Sequence, residues 1–320
     1  MATETFAANG TTKHTTSYYA ASANPAPDRP PLKGDHTIDI CVVGAGYSGL
    51  STALHLAEKG YKVAIIEGAQ VGWGASGRNG GQIVNGLNAS LQTIKKRYGQ
   101  DTANFVAGLV QEGGDIIRDR VKTYDIKCDL KAGNIFVGLT PAHMKELEAR
   151  RALWSSYGIN NQDMLDKSQL RDHIGSDLYE GGMIDHTGGH MHPLNLCLGE
   201  AAAFEQCGGV IYEQSPVIHA DTEAAKPVVK TAQGTMTCNT LVLCGNAYLG
   251  HVVPALTSRV MPVSTQMMAT APLDSAQAKA LLPTDKCVED VRYILDYYRL
   301  SGDNRLIFGG GTVYGGTDPS

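Results

Sequence analysis

The sequence has no apolar run long enough to cross a bilayer, no charged-then-apolar leader, no CxxC pair, no internal repeat and no GxSxG elbow. A helical membrane span takes about 20 consecutive apolar residues, so the expectation is a cytoplasmic protein with no membrane partner. Without CxxC spacing, the seven cysteines (Cys41, Cys128, Cys197, Cys207, Cys238, Cys244 and Cys287) read as free thiols in a reducing compartment; their number is odd and several sit in apolar runs. The missing elbow disfavours hydrolase chemistry. Positive charge is not in excess either. The net charge is −5, and Lys95-Lys96-Arg97 reads as a solvated helix face, so no nucleic-acid partner is expected. Hydrophobic residues at 42% and charged residues at 18% suit an ordinary globular chain, whose length suggests about two domains.

What is present sharpens at Ile38. Residues 1–36 are rich in Ser, Thr, Ala, Asn and Pro and read as an N-terminal arm, with Tyr18-Tyr19 as a pair that could dock. IDICVVGAG then reads as a buried strand running into glycines. YSGLSTALHLAEKG follows as a helix with Leu50, Ala53, Leu54 and Ala57 on one face and Gly60 as its stop. KVAIIEG is a second buried strand, which makes a right-handed βαβ unit. Gly44, Gly46 and Gly49 form a GxGxxG at its turn. The first permits the turn, the second lets backbone approach a pyrophosphate, and the third lets helix and strand pack closely. The helix N-terminus adds free N–H groups and partial positive charge. Glu67, 18 residues beyond Gly49, closes the second strand where a carboxylate can accept from both ribose hydroxyls and repel a 2′-phosphate. GAQVGWGASGRNGGQIV comes directly after. It is a second small-residue loop, with Arg78 available to phosphate and Gly80 and Gly81 open to a flat ring, which favours FAD over a nicotinamide dinucleotide.

Further along, strands are expected in KAGNIFVGL, VIYEQSPV, YILDYYRL and RLIFGGG, with a hairpin about Gly234 leading into TLVLCG. Helices are expected in MKELEARRALWSSYG, in the stretch from Pro193 and near SAQAKALL, and a His-rich loop after Gly181. The fold class is α/β. A Rossmann-like FAD domain (37–95 and 182–250) is interrupted by an α+β substrate domain with a mixed or antiparallel sheet (96–181 and 251–320).

GAGYSGLSTALHLAEKGYKVAIIE with GWGASGRNGGQ resembles the D-amino-acid-oxidase superfamily of FAD enzymes, whose cofactor domain is of the glutathione-reductase type. SYYAAS, DHTGGHMHPLNL, CGNAYLG and LDYYRLSGDNRLIFGGGTVYG resemble the γ-glutamylputrescine oxidase family within it, from about Ser17 to the last residue. The resemblance implies that Gly44, Ala45, Gly46, Ser48 and Gly49 hold pyrophosphate and Glu67, next to Gly68, holds ribose. It implies that Ser76, Gly77, Arg78, Asn79, Gly80, Gly81 and Gln82 run beside the pyrophosphate and isoalloxazine. Val217 would meet adenine and Gly245 would lie near the phosphates. The implied reaction oxidises an amine C–N bond to an imine that hydrolyses to an aldehyde, with dioxygen as acceptor; no side-chain base is named. Family chains carry a further segment with a Gly-Tyr-Ser-Gly-His-Gly-like motif against the flavin. This sequence ends at Asp318-Pro319-Ser320, and a chain lacking that segment is expected to hold flavin weakly. An amino-acid or imino-acid oxidase or dehydrogenase, and a flavin-binding fragment without turnover, stay open as alternatives.

Three residues are candidate substrate contacts. Alternation puts Tyr297 and Arg299 on one face and Tyr298 on the other. Arg299 suits a carboxylate through its bidentate fork, and Tyr298 is its aromatic neighbour. His190 lies in HxxxHxH with His186 and His192. No metal is expected there, because acidic or thiol partners are missing at ligand spacing. A solvated arginine on an aromatic sheet, and histidines feeding the helix at Pro193, are the structural alternatives.

Overall fold

A computed structural model describes residues 13–250, 252–261 and 263–313. The first twelve residues of the expected arm and residues 314–320 of the expected substrate domain lie outside the described residues. In chain order the described elements begin with a short helix α1 (Tyr18–Ala21), capped by the Ser17 hydroxyl, which accepts from Ala20 N–H at 3.2 Å. There follow β1 (Gly34–Val43), α2 (Tyr47–Glu58), β2 (Val63–Ile66), β3 (Gln82–Ile83), α3 (Leu91–Tyr98), α4 (Gln100–Thr123) and β4 (Lys131–Gly138). Next come α5 (Pro141–Ser155), β5 (Gln162–Asp166), α6 (Lys167–Leu170), β6 (Gly181–His190), α7 (Pro193–Gln206) and β7 (Val210–Tyr212). The chain continues through β8 (Val217–Asp221), β9 (Val228–Thr231), β10 (Gly234–Leu243), α8 (Pro254–Thr257), β11 (Ser264–Ala269), α9 (Ser275–Leu281), β12 (Cys287–Asp290), β13 (Tyr297–Leu300) and β14 (Leu306–Val313).

Two sheets organise these elements. The first has six strands in the order β7-β2-β1-β10-β9-β8. β7, β2, β1 and β10 are parallel, and β9 and β8 return antiparallel. β1 and β2 pair in parallel across α2, as the βαβ reading requires. Leu50, Ala53, Leu54 and Ala57 of α2 are buried with Ile40, Val42 and Ile65 beneath them and Ala201 and Phe204 of α7 beside them. Gly60 (φ +85°) closes the helix, its N–H bonded to Ala57 C=O at 2.8 Å.

The second sheet has eight strands: β11-β14-β13-β12-β4-β6-β3, with β5 also on β6. It is mixed. β12 and β4 run parallel and the other pairs antiparallel. One face carries Ile135, Val137, Val288 and Leu300 under α6 and α9; the other carries Phe136 and Met183 under Leu147 of α5. The stretch read as a His-rich loop is β6 itself, a ten-residue strand in this second sheet, so residues 182–190 do not pair within the cofactor sheet. Gly182, Gly188 and Gly189 allow the neighbouring strands to approach it closely. YILDYYRL contributes a strand only over Tyr297–Leu300, and VIYEQSPV is split between β7 and the first residue of β8.

The segment from Lys13 to Lys33 is packed rather than free. Tyr19 and Leu32 are buried, and Tyr18 Oη donates to Asp303 at 2.7 Å. Arg29 pairs with Glu205 at 2.7 Å and Glu213 at 3.4 Å. It therefore straps the first sheet's helices to the second sheet. No helix among the described residues is long and apolar enough to cross a membrane.

Candidate cofactor and substrate site

The three central parallel strands stop level with one another: Val43 pairs with Ile66 on one side and Leu243 on the other. The next residues, Gly44, Glu67 and Cys244, open a groove of about 340 Å³. Ligands of open parallel sheets bind at this carboxyl edge, where the strand order reverses. Gly44, Gly46, Glu67, Gly68, Ser76, Val217 and Gly245 all line it. Sequence reasoning missed Trp73, Tyr248 and Val252, which also line it. Trp73 and Tyr248 meet edge to face at 5.3 Å. Only CGNAYLG, quoted above for its resemblance, carried a signal for Tyr248.

The glycines are required by geometry. Gly44 has φ +105°, and a Cβ there would sit 2.7 Å from Cys244 O. A Cβ on Gly46 would sit 2.8 Å from Ser76 Oγ, and one on Gly49 would overlap Gly44 O. The turn and helix are thus fitted at main-chain contact distance, and the loop meets them through the Ser76 hydroxyl. Glu67 is buried. Its Oε2 accepts from Ala45 N–H at 2.7 Å and its Oε1 from Ala69 N–H at 2.9 Å. Burial pushes its carboxyl up from the usual range, opposed by those amides. Ala45 therefore acts through its N–H, with its side chain fully buried. Ser48 is exposed on the first turn of α2, outside the groove lining.

The second loop is braced from within. Asn79 donates to Ser76 O at 2.8 Å and Ala75 O at 3.0 Å and accepts from Gly81 N–H at 2.7 Å. Gly77 is buried. Arg78 lies over the Trp73 ring at 4.9 Å and donates to Tyr248 Oη at 3.2 Å, on the rim of the groove. Gln82 donates to Val288 O at 3.2 Å and so ties the loop to the second sheet. A Cβ on Gly80 would meet the Tyr297 ring at 2.8 Å.

The three candidate substrate contacts are placed differently from the expectation. Arg299 is 2% exposed. It donates to Gly80 O at 2.6 Å, Leu300 O at 3.0 Å and Tyr19 Oη at 3.0 Å, so its fork braces the loop instead of facing an open pocket. Tyr298 points to the opposite face, stacked on Phe308 and bonded to Tyr179 Oη at 3.0 Å. His190 is 1% exposed, with Nε2 2.8 Å from Asp285 O; burial, then Arg299, push its pKa down to about 3.

His192 caps α7. Its Nδ1 accepts from Asn195 N–H at 3.1 Å, and burial followed by Arg299 lowers its pKa to about 4. An unfolded histidine titrates near 6.5. Below that pH the unfolded chain binds a proton that the folded chain refuses, so stability falls as pH falls from about 6.5 toward 4, by up to roughly 3 kcal/mol. Asparagine is also a good N-cap and does not titrate. Melting curves at pH 7.5 and pH 5 are expected to show a larger acid loss in the unsubstituted chain than in His192→Asn. Equal losses would remove His192 as the titrating group.

A glycine cradle fitted to main-chain contact, a buried acid at the end of the second strand and a braced second loop define a dinucleotide-binding oxidoreductase fold. Residues 39–320 match the family described as DAO, FAD dependent oxidoreductase. The chain is 47% identical to the gamma-glutamylputrescine oxidoreductase of Escherichia coli K12 over 96% of this chain and 72% of that protein. It is 41% identical to the probable oxidoreductase OrdL of Haemophilus influenzae over 93% of this chain and 70% of that one. Among solved structures, glycine oxidase from Geobacillus kaustophilus superposes with TM-score 0.67 at 22% identity, covering 88% of this chain and 73% of that one. L-proline dehydrogenase from P. horikoshii does so with TM-score 0.70 at 19% identity, covering 91% and 74%. The chain belongs to the DAO family of FAD-dependent oxidoreductases, and its cofactor is FAD.

Proposed function

We propose that the chain oxidises the terminal amine of γ-glutamylputrescine. The observation that carries this reading is the 47% identity to the E. coli enzyme of that name across nearly the whole chain. In the proposed reaction γ-glutamylputrescine, dioxygen and water give γ-glutamyl-aminobutyraldehyde, ammonia and hydrogen peroxide. The carbon bearing the amine loses two electrons, and water replaces nitrogen on it.

In this reading the Gly44–Gly49 turn and the first turn of α2, including Ser48, hold the pyrophosphate, and Glu67 and Gly68 hold the ribose. Val217 contacts adenine, Gly245 lies by the phosphates, and Ser76 to Gln82 run along the isoalloxazine. Bound FAD supplies the two-electron acceptor. The protein's part is to orient the amine carbon and keep it dry. One face of the second sheet carries Tyr297, Glu289, Phe136 and Met183 level across its strands, starting beside Gly80. A dry site lowers the pKa of a bound ammonium, so the amine reacts neutral, as its oxidation requires. Seven free cysteines, five of them buried, fit a reducing cytoplasm.

An amine panel tests the reading. Peroxide release with γ-glutamylputrescine is expected to exceed that with putrescine, glycine or proline by more than tenfold in kcat/KM. A preference for glycine or proline would transfer the chain to an amino-acid or imino-acid oxidase.

A further inference from the structure

The same sheet face holds an arginine whose fork has no hydrogen bond or ion pair among the described residues. Arg150, on α5, sets its guanidinium 4.1 Å from the centre of the Phe136 ring and 5.3 Å from that of Trp154. Burial lowers its pKa, and Glu289, Asp185 and Glu146 oppose this only through space; no hydrogen bond contributes. Among the described residues Arg150 makes no hydrogen bond and no ion pair. Asp185 is already engaged by Asn85 at 3.0 Å and by the Thr187 N–H and hydroxyl at 3.0 and 2.9 Å. The residue is half-buried and its nitrogens are open to solvent, so its unused fork is free to take an anion.

Its position gives the anion a length. Tyr297, Glu289 and Phe136 are cross-strand partners in one row, and the row starts at Gly80 of the second loop. Two strand spacings of about 4.8 Å separate the Tyr297 end from the Phe136 end, roughly 10 Å. In γ-glutamylputrescine about nine bonds separate the amine-bearing carbon from the α-carboxylate, an extended span of ~11 Å. Glu289 stands in the same row; burial pushes its carboxyl up to about 7 and Arg150 opposes this through space, so it offers an acceptor for the α-ammonium on the same end of the substrate.

We propose that Arg150 is the specificity-determining residue that receives the α-carboxylate of the γ-glutamyl end, clamped between Phe136 and Trp154 while the amine lies at the Tyr297 end. The inference rests on the substrate reading of the preceding section. Arg150→Gln keeps a planar group between the rings, and Arg150→Lys keeps the charge but loses the fork. The test compares γ-glutamylputrescine with N-acetylputrescine, which has the amine and amide but no carboxylate. It also measures, by calorimetry on the FAD-loaded chain, binding of γ-glutamylbutylamine, which has the carboxylate but no reacting amine. In Arg150→Gln, KM for γ-glutamylputrescine is expected to rise about 100-fold with kcat little changed, the scale of one charge-assisted bidentate contact. The constants for N-acetylputrescine stay as they were, affinity for γ-glutamylbutylamine falls by a similar factor, and Arg150→Lys falls between. Equal losses on both amines, or an unchanged ratio, would overturn the proposal. If the unsubstituted chain oxidises neither amine, the substrate reading fails, and calorimetry still decides Arg150: γ-glutamylbutylamine bound by the unsubstituted chain and lost in Arg150→Gln supports it. Equal binding, or none by the unsubstituted chain, refutes it.

Discussion

Gly49→Ala is expected to leave the chain folded but unable to retain FAD, with affinity lower by a factor on the order of a thousand, about 4 kcal/mol. The added methyl would overlap the carbonyl oxygen of Gly44, a main-chain atom that no side-chain rotation can clear. Relief requires the first turn of α2 to lift from β1. That moves the helix amides away from the turn they complete, and a pyrophosphate needs both at once. Gly60→Ala is the control. Gly60 has φ +85°, so alanine costs ~1–2 kcal/mol of backbone strain, but nothing lies within 4 Å of the new methyl. Fluorescence titration with FAD should separate the two: weak binding in Gly49→Ala, ordinary binding in Gly60→Ala. Equal affinities would place the cofactor elsewhere.

Arg299→Met carries the second large effect, and it falls on stability and flavin retention rather than on substrate choice. Methionine fills much of the volume but leaves Gly80 O and the Tyr19 hydroxyl without their donor inside the protein. Each buried polar group so stranded costs about 1–3 kcal/mol, giving a loss of roughly 3–5 kcal/mol and a fall in Tm on the order of 10 °C. The loop from Ser76 to Gln82 loses its brace with it, so flavin should dissociate more readily. The ratio of kcat/KM for γ-glutamylputrescine to that for putrescine should stay near its original value. A collapsed ratio with unchanged Tm would return Arg299 to the substrate-binding role first expected of it.

The contrast between these two residues shows what the sequence could disclose. The β1–α2–β2 unit was legible because strand, glycines, helix and acid lie within thirty-odd residues and each is specified by local periodicity or by backbone geometry. The second loop was legible for the same reason. Arg299 was placed on the correct face, opposite Tyr298, by alternation alone. Its partners, however, are Tyr19, 280 residues away, and Gly80, 219 residues away, and no local pattern reports them. β6 was misread because Asp185-His186-Thr187-Gly188-Gly189-His190 has no apolar alternation; pairing with β4 and, at its end, with β3 makes it a strand instead. The arm read as polar and extended, and its docking depends on Tyr19 and Arg29 finding partners in distant helices and strands. Trp73 and Tyr248 line the groove only because the fold brings them together, edge to face. Arg150 sat in a helix correctly expected, but its exposure between two rings is a product of packing.

The central claim is that the groove at the ends of β1, β2 and β10 holds FAD and that the adjoining sheet face presents a γ-glutamylated amine to it. Anaerobic mixing of the FAD-loaded chain with γ-glutamylputrescine measures this directly. The account predicts that the visible absorbance of oxidised flavin is lost in one turnover, stoichiometric with aldehyde, and that N-acetylputrescine produces the change only at much higher concentration. Bound FAD whose absorbance is untouched by γ-glutamylputrescine but is lost on adding glycine or proline would contradict it.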